Sequence, residues 1–98
     1  MKVILKPRQS GKTTEIIKEA AKDFSYIVCE DPDRCQKISA MAKGLDLDIP
    51  FPITYREFID GRFYGNGVRG FVIDNTDSLL RQIARGVSIG AISITQDE

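Results

Sequence analysis

The chain is predicted to be a single α/β domain over residues 1–98, a three-layer α/β/α arrangement around a mainly parallel five-stranded sheet. Three observations predict this. Short apolar, β-branched runs alternate with helical stripes, as parallel strands joined by crossover helices require. Hydrophobic residues make up 42% and charged residues 29% of the chain, which suits one packed core rather than disorder. No repeat, low-complexity tract or linker interrupts the alternation, so 98 residues fit one domain.

Each element follows from its residues. "KVILK" (2–6) is a β-branched apolar run closed by Pro7 and reads as a buried strand. In "GKTTEIIKEAAKDF" (11–24), Ile16, Ile17, Ala20, Ala21 and Phe24 fall on one helical stripe. "YIVC" (26–29) is a second strand. The next helix, within 30–44, carries its own punctuation. Asp31 suits the N-cap, Pro32 the first helical position and Gly44 the stop, with Cys35, Ile38, Met41 and Ala42 as the apolar face. "IPFPIT" (49–54) is a short extended segment whose prolines favour a sheet edge. One or two helical turns follow at 55–61, then a glycine-rich loop at 61–70. "FVID" (71–74) is a buried strand ending in an acid. Residues 75–86 form a helix stopped by Gly86, and "VSIGAISIT" (87–95) is the last strand.

Charge and cysteine content exclude several classes. Fourteen basic residues balance fourteen acidic ones, so no overall basic excess drives binding to nucleic acid through counterion release. Cys29 and Cys35 have the spacing of neither a redox CxxC pair nor a zinc site, and the chain has no histidine; two reduced thiols in a cytoplasmic protein are expected. No run approaches the ~20 apolar residues of a membrane span, and Val3–Leu5 is too short for a signal-peptide core.

The chemistry concentrates at "KPRQSGKTT" (6–14). Between a strand and a helix, a Gly-Lys-Thr has the parts of a phosphate site: backbone amides, a helix N-terminus, a lysine and a hydroxyl. Gly11 allows close backbone approach, Lys12 reaches the β- and γ-phosphates, and Thr13 offers its hydroxyl to Mg²⁺. The first glycine of G-x-x-x-x-G-K-S/T is replaced by Lys6. "PRQSGKTT" resembles the Walker A segment of the large terminase subunits of tailed phages, which often read R-Q-x-G-K-S/T-T and commonly lack that glycine. Arg8, Gln9, Gly11, Lys12, Thr13 and Thr14 match in register, and Ser10 fills the variable position. The resemblance implies a P-loop ATPase of the additional-strand class, with sheet order 5-1-4-3-2, ATP and Mg²⁺ as cofactors, and Arg8 touching the γ-phosphate. The nuclease domain of a large terminase has no counterpart in these residues.

"GFVIDNTD" (70–77) looks like the matching Walker B strand, with Asp74 as the magnesium acid. In similar ATPases the next residue is usually a glutamate that polarises the attacking water; here it is Asn75, which cannot accept a proton. Such assistance is worth ~10²–10⁴ in rate. Asp77 either takes over that role or serves as a first-turn acid favoured by the helix dipole. Thr95 and Gln96 occupy the place of a γ-phosphate sensor at the end of the last strand. Arg62, Arg69, Arg81 and Arg85 are candidate finger arginines or plain surface cations. In the glycine-rich loop, Phe63 and Tyr64 either stack on nucleic-acid bases or anchor the loop to the core.

Two functions from different classes follow. One is a weak Mg-ATPase in phage-type DNA handling, with DNA, a phage or host protein, or a second copy of the chain as partner. The other is a nucleotide-binding regulatory or interaction module with little or no hydrolysis.

Overall fold

In the computed structural model, which describes residues 1–5, 11–63 and 69–95, the strand Tyr26–Cys29 (β1) is the centre of the sheet. It pairs in parallel with Ile53–Thr54 (β2) on one side and Phe71–Ile73 (β3) on the other. Register sets Val28 opposite both Ile53 and Ile73, and Ile27 opposite Val72. Among the described residues four helices complete the order: Lys12–Asp23 (α1), Pro32–Gly44 (α2), Tyr55–Ile59 (α3) and Thr76–Ile83 (α4).

Alternation along β1 divides the core in two, because successive side chains of a strand point to opposite faces. Ile27 and Cys29 join Ile16, Ile17 and Ala20 of α1 and Cys35, Ile38 and Ala42 of α2 in one cluster. Val28 joins Ile53, Tyr55 and Leu79 in the other, with Phe58, Phe63, Tyr26 and Ile73 packed against it. Helices therefore cover both faces. An aromatic group borders the second cluster. Phe71 meets Phe58 and Phe63 edge-on at 4.9 Å each, and Tyr26 stacks near Phe71 at 6.3 Å.

Local chemistry explains the helix starts. The Asp31 side chain accepts from Arg34 N at 2.8 Å, and Pro32 follows it. The predicted cap is therefore present, although the left-handed residue that turns the chain is Asp46 (φ 57°), two positions beyond Gly44. Thr54 and Glu57 close a reciprocal capping box on α3. Beyond α4, Arg85 (φ 56°) and Gly86 (φ 82°) turn the chain away. Two predicted stripe residues are exposed, Phe24 at 41% and Met41 at 39%, and Ala21 is half-buried; Phe24 is the left-handed cap of α1.

The predicted five-stranded sheet of order 5-1-4-3-2 is overturned. Among the described residues the sheet has three strands, in the order β2-β1-β3. Neither residues 2–5 nor 87–95 form a strand. Apolar, β-branched composition makes a run competent to be a strand, but only a ladder partner and a covered face make it one. Leu5 is 86% exposed, Val87 70% and Ile92 60%, so neither run gains the burial that would hold it. Residues 2–5 instead lie along α1, through Lys2–Glu19 at 3.2 Å and Ile4 against the first cluster. Strand order fails for a related reason: Ile27, Val28 and Cys29 are each 0% exposed. A strand covered on both faces belongs in the middle of a parallel sheet, whereas 5-1-4-3-2 sets 26–29 at its edge.

Candidate functional site

The site is built where the parallel strands end. α2, α3 and α4 each begin within three residues of the strand before them, so their N-termini share one edge of the sheet. α1 joins them there, because its first residue, Lys12, donates to Asn75 Oδ1, and Thr13 accepts from Arg34 of α2. Ligands of open α/β sheets gather at this edge.

The helix starts divide into two kinds. Asp31 and Thr54 cap α2 and α3 with their own side chains. The N-caps of α1 and α4, Gly11 at φ 78° and Asn75 at φ 54°, are both left-handed and supply no side-chain acceptor. First-turn amides without an internal acceptor, at the positive end of the helix dipole, suit an anion. Gly11 is exposed, and among the described residues nothing beyond its chain neighbours comes within 4 Å of where a Cβ would stand. Its need is conformational, since φ 78° is strained for a side-chain-bearing residue.

Asp74 is the acid of this edge. It is 1% exposed, and its amide extends the β3 ladder to Val28 O at 2.9 Å. Its Oδ2 faces Arg34 Nε at 3.5 Å, while Oδ1 has no hydrogen-bond partner among the described residues. The Tyr55 hydroxyl donates to Asp74 O at 2.5 Å and also reaches Asn75 O at 3.0 Å, fixing the turn behind the carboxylate. Burial, with Asp74's charge next in weight, holds the Tyr55 phenol protonated well above its ordinary range. Arg34 links the pieces. Its Nη2 donates to Thr13 Oγ1 at 2.6 Å, with the side chain about one-third exposed.

The two thiols lie beside this cluster, Cys29 Sγ 3.2 Å from Cys35 Sγ, and both are free and buried. Burial, their mutual contact and the charge of Asp74 push the Cys29 thiol up. Burial likewise raises Cys35, so neither is an activated nucleophile.

Of the residues singled out from sequence, Gly11, Lys12, Thr13, Asp74 and Asn75 come together, with Thr14 half-buried in the same first turn. Arg8, Gln9, Ser10 and Gln96 lie outside the described residues, as do Lys6, Pro7 and Tyr64. Asp77 faces solvent, 65% exposed and paired with Arg81 at 2.8 Å. Thr95 is exposed on a segment without regular structure, so the strand end meant to carry a phosphate sensor is missing. Phe63 takes the anchoring role through its aromatic neighbours, and Arg62 pairs with Asp60 at 3.2 Å. Arg34 went unnoticed in the sequence. The available signal was a cation on the first turn of a helix that directly follows a strand.

Thr13 Oγ1 and Asp74 Oδ1 are hard oxygen donors of the kind that suit Mg²⁺, and the buried, unpartnered Oδ1 is a place such an ion fits. Among the described residues no three Asp, Glu, Cys or His side chains gather to hold a metal by themselves. A concavity of about 500 Å³ lies elsewhere, lined by Leu80, Arg81, Val87 and Ile89 among others. Its charged lining residues, Asp77 and Arg81, are exposed and paired with each other at 2.8 Å, so the chemistry is assigned to the strand edge. Among the described residues no helix is long and apolar enough to cross a membrane. Comparisons with protein-family models, curated proteins and solved structures find no match.

Proposed function

We propose that this chain binds a nucleoside triphosphate, ATP with Mg²⁺, at the strand edge formed by α1, α2 and the turn after β3, and hydrolyses it slowly or not at all. One observation carries the reading. Behind a left-handed Gly11, Lys12 and Thr13 on an uncapped helix start are brought to the same edge as a buried Asp74 with an unpartnered oxygen. In the bound state the α1 amides and Lys12 would grip phosphate oxygens, with Thr13 and Asp74 as metal ligands. A bound Mg²⁺ would neutralise phosphate charge.

Asn75 favours a binding module over an efficient hydrolase. It occupies the position where a carboxylate would orient water, and its side-chain oxygen accepts from Lys12. Asp77, the other acid considered for that role, is committed to Arg81 at the surface. An ATPase role in phage-type DNA handling, with DNA or a protein partner, rests on the terminase-like segment 7–14 alone.

Calorimetric titration of ATP, with and without Mg²⁺, on wild type and Lys12→Ala tests the reading beside steady-state phosphate release. Saturable binding that weakens at least about tenfold in Lys12→Ala is expected, with little turnover. Wild type that binds no ATP sinks the nucleotide site; turnover on the scale of 1 s⁻¹ or more, typical of enzymes, sinks the module.

A further inference from the structure

We propose that Arg34 is a resident cation of the Thr13–Asp74 position: its guanidinium holds the place a divalent metal ion takes and withdraws when the metal enters. Three elements meet on this one side chain. Arg34 extends from the first turn of α2, reaches Thr13 Oγ1 of α1 at 2.6 Å, and faces Asp74 Oδ2 after β3 at 3.5 Å.

The two contacts are unequal. A guanidinium that fully satisfied the carboxylate would approach to ~2.7–2.9 Å, often through two parallel bonds. Here the short bond goes to the neutral hydroxyl, and the carboxylate receives one long ion pair. Among the described residues Asp74 Oδ1 receives nothing, although the residue is 1% exposed. A buried carboxylate so poorly supplied is short of positive charge and of donors. The other nearby cation among the described residues, Lys12, is turned to Asn75 Oδ1, and so does not make up the deficit.

Arginine and metal compete for the same atoms. A hydroxyl and a carboxylate oxygen are ligands for a hard divalent cation, and two cations within ~4 Å repel. Arg34 has a way out, since its side chain is about one-third exposed. The arrangement keeps the buried acid compensated while the metal is absent and makes metal entry conditional on moving one side chain. The inference depends on the nucleotide reading for its biological purpose only; the geometry and the test involve no nucleotide.

The test is Mn²⁺ binding without nucleotide, read by water-proton relaxation, on wild type, Arg34→Met and Arg34→Met/Asp74→Asn. Removing the competing cation is expected to tighten Mn²⁺ binding at least about tenfold, and the added Asp74→Asn to abolish the gain. A folded Arg34→Met that binds Mn²⁺ no tighter than wild type overturns the proposal. Should Arg34→Met fail to fold, wild type answers through the Arg34 Nε–Hε resonance, assigned by its loss in the charge-conserving Arg34→Lys. That resonance is expected to shift on Mg²⁺ titration with the same midpoint as the Asp74 amide. A stationary Arg34 signal overturns the proposal, whether or not the amide moves. Since ATP is absent from every arm, a chain that fails to bind ATP refutes the nucleotide site and leaves this exchange standing.

Discussion

Replacing Tyr55 by phenylalanine removes one oxygen atom and tests how the acid turn is held. Tyr55 is 1% exposed, and its hydroxyl donates to Asp74 O at 2.5 Å and Asn75 O at 3.0 Å. The two carbonyls differ in what they lose. Asn75 O keeps the amides of Ser78 and Leu79 at 2.8 and 3.2 Å, whereas Asp74 O loses the hydroxyl and remains under a buried ring. An unsatisfied buried acceptor costs about 1–3 kcal/mol, and the ring itself still fills its space, so no cavity adds to that cost. For a domain near 100 residues each kcal/mol moves Tm by about 4–8 °C. A central loss of about 2 kcal/mol therefore predicts a fall of about 8–16 °C in a thermal melt followed by circular dichroism. Because the same hydroxyl positions Asn75, which accepts from Lys12, ATP affinity should fall at temperatures where the variant remains folded. A Tm within about 2 °C of wild type, less than half the shift for a single kcal/mol, would refute the assignment of Tyr55 as the fastener of this turn.

Further outcomes follow from other contacts. Asp31→Ala removes the α2 cap and should cost about 1 kcal/mol in urea unfolding, with an unchanged midpoint counting against the capping role. Burial raises Cys29 and Cys35, so the folded chain keeps protons that the unfolded chain releases near pH 8.5. Stability is accordingly full below that pH and falls above it, by up to about 1.4 kcal/mol per pH unit for each thiol. Cys29→Ala should flatten the slope between pH 8.5 and 9.5, whatever it does to absolute stability; an unaltered slope would exclude the thiol as its source. Asn75→Glu should raise ATP turnover by at least about tenfold and cost about 1–2 kcal/mol, since φ 54° suits asparagine better than glutamate. A stable variant with unchanged turnover would show that a missing carboxylate is not the limit.

Helices were more legible than strands, for a physical reason. A helix satisfies its backbone locally, so Asp31-Pro32 and the 3.6-residue stripe of Ile16, Ile17 and Ala20 carry most of what α2 and α1 need. The Thr54–Glu57 capping box, a threonine three residues before a glutamate, has an equally local signal but was missed in the sequence. A strand exists only with its neighbour. Nothing within "KVILK" or "VSIGAISIT" tells whether an edge is free to receive it, and both runs remain unpaired among the described residues. The site shows the same division. Lys12, Thr13 and Asp74 were visible because their residue types and flanking elements are informative. Asn75 was visible only as a missing carboxylate, and its contact with Lys12 depends on how α1 lies against β3. Arg34 carried only the faint mark of a cation on a first helical turn, since its meaning comes from two partners 21 and 40 positions away (13 and 74 against 34).

The split of the core along β1 also bears on how the chain acquires its structure in time. Every buried member of the first cluster lies between Ile16 and Ala42, so α1, β1 and α2 close on one another over short loops. Such local contacts form early, because little chain entropy is lost in making them. The second cluster needs Ile53, Tyr55 and Leu79, and β3 docks on β1 across more than 40 intervening residues (29 to 71). A polarised transition state follows, with high φ-values expected at Ile17 and Ile38 and low ones at Ile73 and Leu79. Asp74 would then reach Thr13 and Arg34 only in the last stage of folding. Interactions formed that late mainly slow unfolding, so a ligand gripping this edge would prolong the life of the folded chain without hastening its formation.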